Sequence, residues 1–227
     1  CPTGSVEHSE FPAEKVHPID RQELPTPEQV MLLIRSRRSN RAFSDRAVPE
    51  EYLPRIVAAA HRAPPASNLQ QLSFPLVTDP ELLHRVSELT IDTFAAAARK
   101  MSRPLVKPLV KLARPDLYGQ IPRLAGLQRA FEAGADPILR GAKALLLIHA
   151  PAGNSCGGTD ANLAYQNGSL MAESLKGSQF YTGFIWRGIG MDKKRRIAKL
   201  LGIEGTIHAG MAMGMPAFGF ANYIDKK

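Results

Sequence analysis

Arg35-Ser-Arg-Arg-Ser-Asn-Arg-Ala-Phe43 packs four arginines and two serines into nine residues, directly after the apolar run Val30, Met31, Leu33 and Ile34. Arg37, Arg38 and Arg41 stand three and four apart. On a helix end they converge on one side. Guanidinium groups pair with phosphate oxygens in a planar two-point geometry, and Ser39 adds a neutral hydroxyl donor. The set suits a phosphate dianion; on composition alone it suits a solvated basic helix end equally well. A second polar cluster is Ala63-Pro-Pro-Ala-Ser-Asn-Leu-Gln-Gln71. Its amides carry both donors and acceptors, as reading a flat heterocycle edge requires. A loop capped by its own amides is the plainer reading. A third stretch is Gly177-Ser-Gln-Phe-Tyr-Thr-Gly-Phe184, whose glycines let backbone approach a ligand closely. Cys156 sits in a glycine-rich loop with no evident base partner, which argues against a nucleophile.

Elements must position these groups. Thr26-Pro27-Glu28-Gln29 is a helix start: Thr caps, Pro suits the first turn, and Gln reaches back. That helix runs to about Arg35 and delivers the arginines. A second follows from Pro49, with Leu53, Ile56, Val57 and Ala60 on one face. A strand is expected at 72–78, and a helix from Asp79 through Leu89. Residues 99–129 carry eight Lys or Arg, one acid (Asp116), and prolines that forbid a single long helix. They read as an inserted lid of short helices, spanning about 99–135. Ala144–His149 is a short apolar run that fits a buried strand. Asp160 heads one more helix and Asp192 a basic one. Thr206–Gly214 alternates as a strand does. The resulting order predicts a sheet with helices on both faces, and it lacks the Gly-x-Gly-x-x-Gly turn of a dinucleotide fold.

The 227 residues are 44% hydrophobic and 22% charged, which fits one folded domain. No apolar run is long enough for a membrane helix. Two cysteines far apart make no disulfide framework and fit a reducing cytoplasm; six scattered histidines show no metal-ligand spacing. The net charge of +8 admits an anionic partner. Aromatics are sparse in 99–129 and 193–199, which argues against stacking on nucleic-acid bases.

Four stretches in order resemble the nitroreductase family of FMN flavoproteins: Arg37–Phe43 with Val48-Pro49, Ala63–Gln70, Tyr181-Thr-Gly-Phe184, and the closing strand ending Gly214-Met-Pro216. The resemblance covers residues 25–225. It implies an α+β (α/β) fold, a mixed and mainly antiparallel sheet flanked by helices on both faces, in an intertwined homodimer with two interfacial FMN sites. Arg37, Arg38, Ser39 and Arg41 would serve the phosphate end. Pro65, Ala66, Ser67, Asn68 and Gln70 would contact the ring from the other subunit. Tyr181, Thr182 and Gly183 would lie near the flavin, with Thr182 and Gly183 N–H groups toward N5 and O4, and the C-terminal arm would wrap the partner. The implied activity is reduction of a nitroaromatic, quinone or enone acceptor with electrons from NAD(P)H or ferredoxin. A non-turnover flavin-binding or flavin-processing protein of the same fold is the alternative.

The chain looks closest to a subgroup with an N-terminal 4Fe-4S ferredoxin-like module. Residues 1–24 would be its arm, and Cys1-Pro2 its Cys-Pro end; residues 25–227 would form the flavin domain. The chain departs from the family pattern in three places. Gly219 lies where a base usually serves the phosphate, leaving Lys226 and Lys227. The pair before the third stretch is separated as Leu175-Lys176-Gly177, and Trp186 follows it.

Overall fold

The computed structural model describes residues 12–113 and 115–225. Cys1-Pro2, assigned above to a ferredoxin-like remnant, and Lys226 and Lys227 lie outside the described residues. In chain order the elements are α1 (Pro27–Ser36), α2 (Tyr52–His61), β1 (Leu76–Val77), α3 (Pro80–Met101), α4 (Lys107–Ala113), α5 (Pro115–Tyr118), α6 (Ile121–Glu132), β2 (Ala144–Ala150), α7 (Gly157–Ser174), β3 (Ser178–Tyr181), α8 (Gly183–Met191), α9 (Arg196–Leu200) and β4 (Thr206–Gly214). The strands form one sheet in the order β1-β2-β4-β3, and each neighbouring pair is antiparallel. An isolated parallel bridge joins Ser39 to Gln179 at the β3 edge.

Period-two alternation along β2 sends its side chains to opposite faces. Leu145 and Leu147 join Val86, Phe94, Ile185 and Ile207, the layer made by α3, α8 and neighbouring elements. Ala144, Leu146 and Ile148 join Ile56, Ala60, Ala161, Ala164 and Met211, the layer made by α2 and α7. Helices therefore cover both faces, the architecture the sequence pattern implies. Small residues let α7 lie close to the sheet: a Cβ at Gly168 would stand 3.2 Å from Met211 Cε and 3.4 Å from Ala60 Cβ. Among the described residues no helix is long and apolar enough to cross a membrane.

α1 starts as its sequence demands. Gln29 N–H donates to Thr26 Oγ1 at 3.3 Å, and Thr26 N–H donates to Gln29 Oε1 at 3.0 Å. Elsewhere the boundaries move. The strand expected at 72–78 shrinks to Leu76–Val77 plus a bridge from Ser73 to His149, because Pro75 has no N–H to give the ladder. The helix after Asp79 runs on to Met101 and takes the first residues of the expected lid. Leu124, Leu127 and Phe131 of α6 pack against the core. Asp160 lies inside the first turn of α7 rather than at its cap.

A bulge interrupts the β2–β4 ladder: Ile148 pairs with Ala209 and His149 with Ile207, leaving His208 unmatched. His149 Nδ1 and His208 Nε2 are buried without a hydrogen-bond partner among the described residues. Burial lowers the pKa of both from the ordinary 6.5, and His208 lowers that of His149 further. Below 6.5 the unfolded chain therefore binds more protons than the folded one, so stability falls as pH drops through that window. Urea midpoints are expected to be flat above about pH 7 and to decline below it, with a shallower decline in His149→Leu. An unchanged slope in that variant would assign the decline to other groups.

Candidate active site

The arginine loop is tied to the sheet edge by a buried side chain. Gln179 of β3 is 2% exposed. Its Oε1 accepts from Tyr165 Oη at 2.7 Å, and its Nε2 donates to Ser169 Oγ at 2.9 Å and to Arg38 O at 3.4 Å. One carboxamide thus joins the loop, α7 and the edge strand. Burial pushes the Tyr165 phenol up to about 12, against the pull of Arg37 nearby. It stays a neutral donor at ordinary pH.

Beyond β3 the chain turns into α8, and a cleft of about 680 Å³ opens there. Arg41, Tyr181, Thr182, Gly183 and Trp186 line it. The Arg41 guanidinium lies over the Phe180 ring at 5.5 Å and donates to Ser39 O at 3.3 Å. The cleft therefore gathers Arg41 with the Tyr181–Gly183 segment, next to Ser39. Gly183 opens α8, and the first amides of a helix have no acceptor within it. Thr182 N–H is not a free donor as expected, because it donates to Gly210 O at 3.0 Å. A Cβ at Gly210 would collide with Thr182 Oγ1 and stand 3.0 Å from Leu147 Cδ2. That position must stay bare for Thr182 to sit where it does.

Other expected residues go elsewhere. Arg38 turns from the cleft: it donates to Asn222 O at 2.9 Å and covers the Phe220 ring at 4.8 Å. Arg35 meets Tyr223 in the same way. Over these residues the C-terminal arm makes contacts within its own chain: Ala217 N–H donates to Ala42 O, Ser44 N–H donates to Met215 O, and Asn40 Nδ2 donates to Phe218 O. Gly219 lies in that arm with open space at its Cβ position. Arg37 ends α1, its N–H donating to Leu33 O at 3.2 Å.

The Pro65–Gln70 turn is a separate structure. Ser67, Asn68 and Gln70 hold φ of 51°, 54° and 50°, left-handed values that asparagine tolerates better than most residues. Ala66 N–H donates to Asp160 Oδ1 at 3.1 Å, and Gln70 Nε2 donates to Asn68 Oδ1 at 3.3 Å. The turn leads to Ser73, which bridges to the β1 side of β2, while β3 forms the other edge of the sheet. Among the described residues no hydrogen bond or ring contact joins Pro65–Gln70 to the arginine loop or to Tyr181–Gly183.

Sequence reasoning missed Gln179 and Asp160 as anchors, and Arg123, Arg140 and Arg187 as lining of the cleft. A glutamine inside a short apolar-aromatic stretch was the available signal for the first. The arginines come together only through the fold.

Residues 34–215 match the family model described as Nitroreductase family. The chain belongs to the nitroreductase family. A stretch of 61 residues is 41% identical to the "Putative NADH dehydrogenase/NAD(P)H nitroreductase" of Archaeoglobus fulgidus; the match spans 27% of this chain and 35% of that protein. Among solved structures, this nitroreductase-family chain is similar to an FMN-bound nitroreductase of Desulfitobacterium hafniense DCB-2, with TM-score 0.63, 19% identity, and 86% and 93% of the two chains covered. It is similar to an FMN-bound nitroreductase of Bacteroides fragilis NCTC 9343, with TM-score 0.63, 19% identity, and 88% and 93% covered. A BluB-like flavoprotein of Clostridium difficile 630 gives TM-score 0.65 at 17% identity, with 87% and 94% covered. At such identities the likeness speaks for the fold.

The Gln179 network has a measurable worth. Gln179→Leu leaves Tyr165 Oη, Ser169 Oγ and Arg38 O without this partner. The expected loss is about 1–3 kcal/mol for each group left buried and unsatisfied, read by urea denaturation. Gly210→Ala is expected to displace Thr182 and the start of α8. A wild-type unfolding midpoint and an unaltered environment of Trp186 in that variant would refute the close-packing argument.

Proposed function

We propose that this chain is an FMN-dependent oxidoreductase, working as a homodimer, that passes electrons from NAD(P)H or ferredoxin to a small nitroaromatic, quinone or enone acceptor. The cleft at the start of α8 carries the reading. It combines guanidinium groups with helix N-terminal amides and aromatic walls, a donor set that fits the phosphate and the planar polar ring of a flavin mononucleotide. The FMN-bound relatives and the family membership support the same cofactor.

Arg41 and Ser39, with Arg37 at the end of α1, would hold the phosphate end. The α8 amides from Gly183 onward would donate to the ring edge, where a nearby positive potential favours the reduced, anionic form. When bound, FMN supplies the redox chemistry, taking electrons from one molecule and giving them to the next at an open face. The chain's own tasks are to fix that group, to shield it with Trp186 and Phe184, and to leave room for a second molecule. No acid–base triad is needed from the protein.

Two observations support a dimer. α1 buries no residue, and Val30, Met31, Leu32 and Ile34 are all exposed; apolar surface of that kind marks an interface. The Pro65–Gln70 turn leads to the β1 edge of the sheet while the arginine loop meets the β3 edge, so one chain alone does not bring the two together. In a dimer, Pro65, Ala66, Ser67, Asn68 and Gln70 would complete the site in trans.

The purified protein is expected to show flavin absorption bands and to release about one FMN per chain on heating, with steady-state turnover of a quinone or nitroaromatic. A colourless protein that binds no added FMN overturns the reading; flavin without turnover assigns the chain to flavin binding alone. Arg41→Ala is expected to weaken FMN binding roughly 10- to 100-fold, the worth of one charged hydrogen-bonding group. Light scattering is expected to give twice the 24.8 kDa chain mass, and Leu32→Glu with Ile34→Glu to give monomers that lose flavin. Monomers that keep it would show that one chain suffices.

A further inference from the structure

The cleft holds more positive charge than the phosphate of a flavin uses. Besides Arg41, it is lined by Arg123, Arg140 and Arg187, and among the described residues no aspartate or glutamate lines it. The three come from separate parts of the chain. Arg123 belongs to α6, Arg140 to the turn before β2, and Arg187 to α8. None makes an ion pair with a carboxylate among the described residues. Arg123 lies over the Phe184 ring at 5.5 Å, and Arg187 donates to Gln120 Oε1 at 3.0 Å. Arg140 keeps its guanidinium free of any hydrogen bond among the described residues. Its backbone holds φ 57°, a left-handed conformation that costs a residue of this kind and persists only where surroundings enforce it. The nearest carboxylate along the chain is committed elsewhere: Asp136 accepts from Ser87 Oγ and from the Ile138 and Leu139 N–H groups.

Resting on the flavin reading above, we propose that Arg123, Arg140 and Arg187 form an oxyanion subsite that selects a reacting molecule bearing a carboxylate, sulfonate or phosphate group. Three unpaired guanidiniums around one opening repel each other, and an anion entering the cleft removes that repulsion. Phe184 and Trp186 beside them offer flat apolar surface for a ring. The two features together describe a planar, unsaturated molecule with an anionic substituent. The substituent pairs with the arginines while the ring lies against the aromatic wall. Because the arginines come from α6, the 136–141 turn and α8, the same ligand would draw these three segments together. The charge on the molecule acts before and during the reaction alike, so it sets KM more than kcat.

The test compares 4-nitrobenzoate with 4-nitrobenzamide, which share size and ring but differ in charge. Holoenzyme is first reduced with dithionite, so no nucleotide is present, and its reoxidation by each compound is followed. The carboxylate is expected to show a KM at least about tenfold lower, the worth of one charge-assisted hydrogen bond, and that advantage is expected to shrink with salt. Arg140→Gln and Arg123→Gln are each expected to raise KM for the carboxylate several-fold more than for the amide. If the preference is absent there, and the same variants instead weaken reduction by NADH or NADPH, the oxyanion is the donor's pyrophosphate; that outcome supports the subsite and names its source. Equal KM values in both half-reactions overturn the proposal. So does loss of bound FMN in the Arg140 and Arg123 variants with the charge preference intact, which would assign these arginines to the flavin. A protein that never holds FMN refutes the parent reading. The subsite is then read from the single tryptophan, Trp186: nitrobenzoate must quench it at lower concentration than nitrobenzamide, and equal quenching overturns the subsite too.

Discussion

Everything at the cleft depends on one buried carboxamide. Gln179 meets partners on α7 and in the arginine loop while its backbone pairs with Met213 of β4. A buried amide must be satisfied, and each unmet group costs about 1–3 kcal/mol. This fixes the register of β3, since a slip of one residue would turn Gln179 outward and bring the wrong side chains to both faces. Register then sets the rest. Phe180 stacks on Phe43 at 5.9 Å, Thr182 meets Gly210, and α8 starts where its amides face the opening. The arginines do not organise the loop; the polar anchor beneath them does.

Much of this was legible from sequence where a local rule and the tertiary context agree. β4 spans the residues that its alternation marked, and α1 begins at the capping box written in Thr26 and Gln29. β2 extends the expected strand by one residue, to Ala150. β3 escaped notice because it is four residues long, lies between a glycine and a helix start, and buries Ser178 and Gln179. Polar residues inside a strand defeat an apolar-alternation test. β1 was read too long because the pattern at 72–78 does not register that Pro75 lacks a donor. The arginine loop was visible as composition, but its division was not. Arg41 faces the cleft and Arg38 is drawn away by Phe220 and Asn222, contacts almost two hundred residues distant in sequence.

That division shapes the electrostatics. Among the described residues, Arg35 and Arg38 are held by aromatic faces and neutral oxygens, not by carboxylates. Their charge is positioned without being cancelled. The same holds for Arg41 and Arg123 over Phe180 and Phe184. Aromatic faces attract a cation while leaving it available to an anion. The +8 net charge of the chain is therefore not spread evenly as a solubility coat; part of it is concentrated around one opening. Acidic side chains serve structural ends nearby. Asp136 and Asp192 cap turns, and Asp160 holds the Pro65–Gln70 turn.

The strand at the centre of the sheet is also the last of these elements to be synthesised. β4 pairs with β2 on one side and β3 on the other, and both helix layers rest on it. Until Thr206–Gly214 has left the ribosome, β2 has only the short β1 beside it, β3 has no strand partner, and Thr182 has no Gly210 carbonyl to accept its N–H. The nascent chain must then hold Ala144–Ala150 with one edge open, paired only over the short β1, while it waits. That makes the interval before the final strand emerges the moment of greatest exposure to misassociation, and gives chaperones their clearest point of entry.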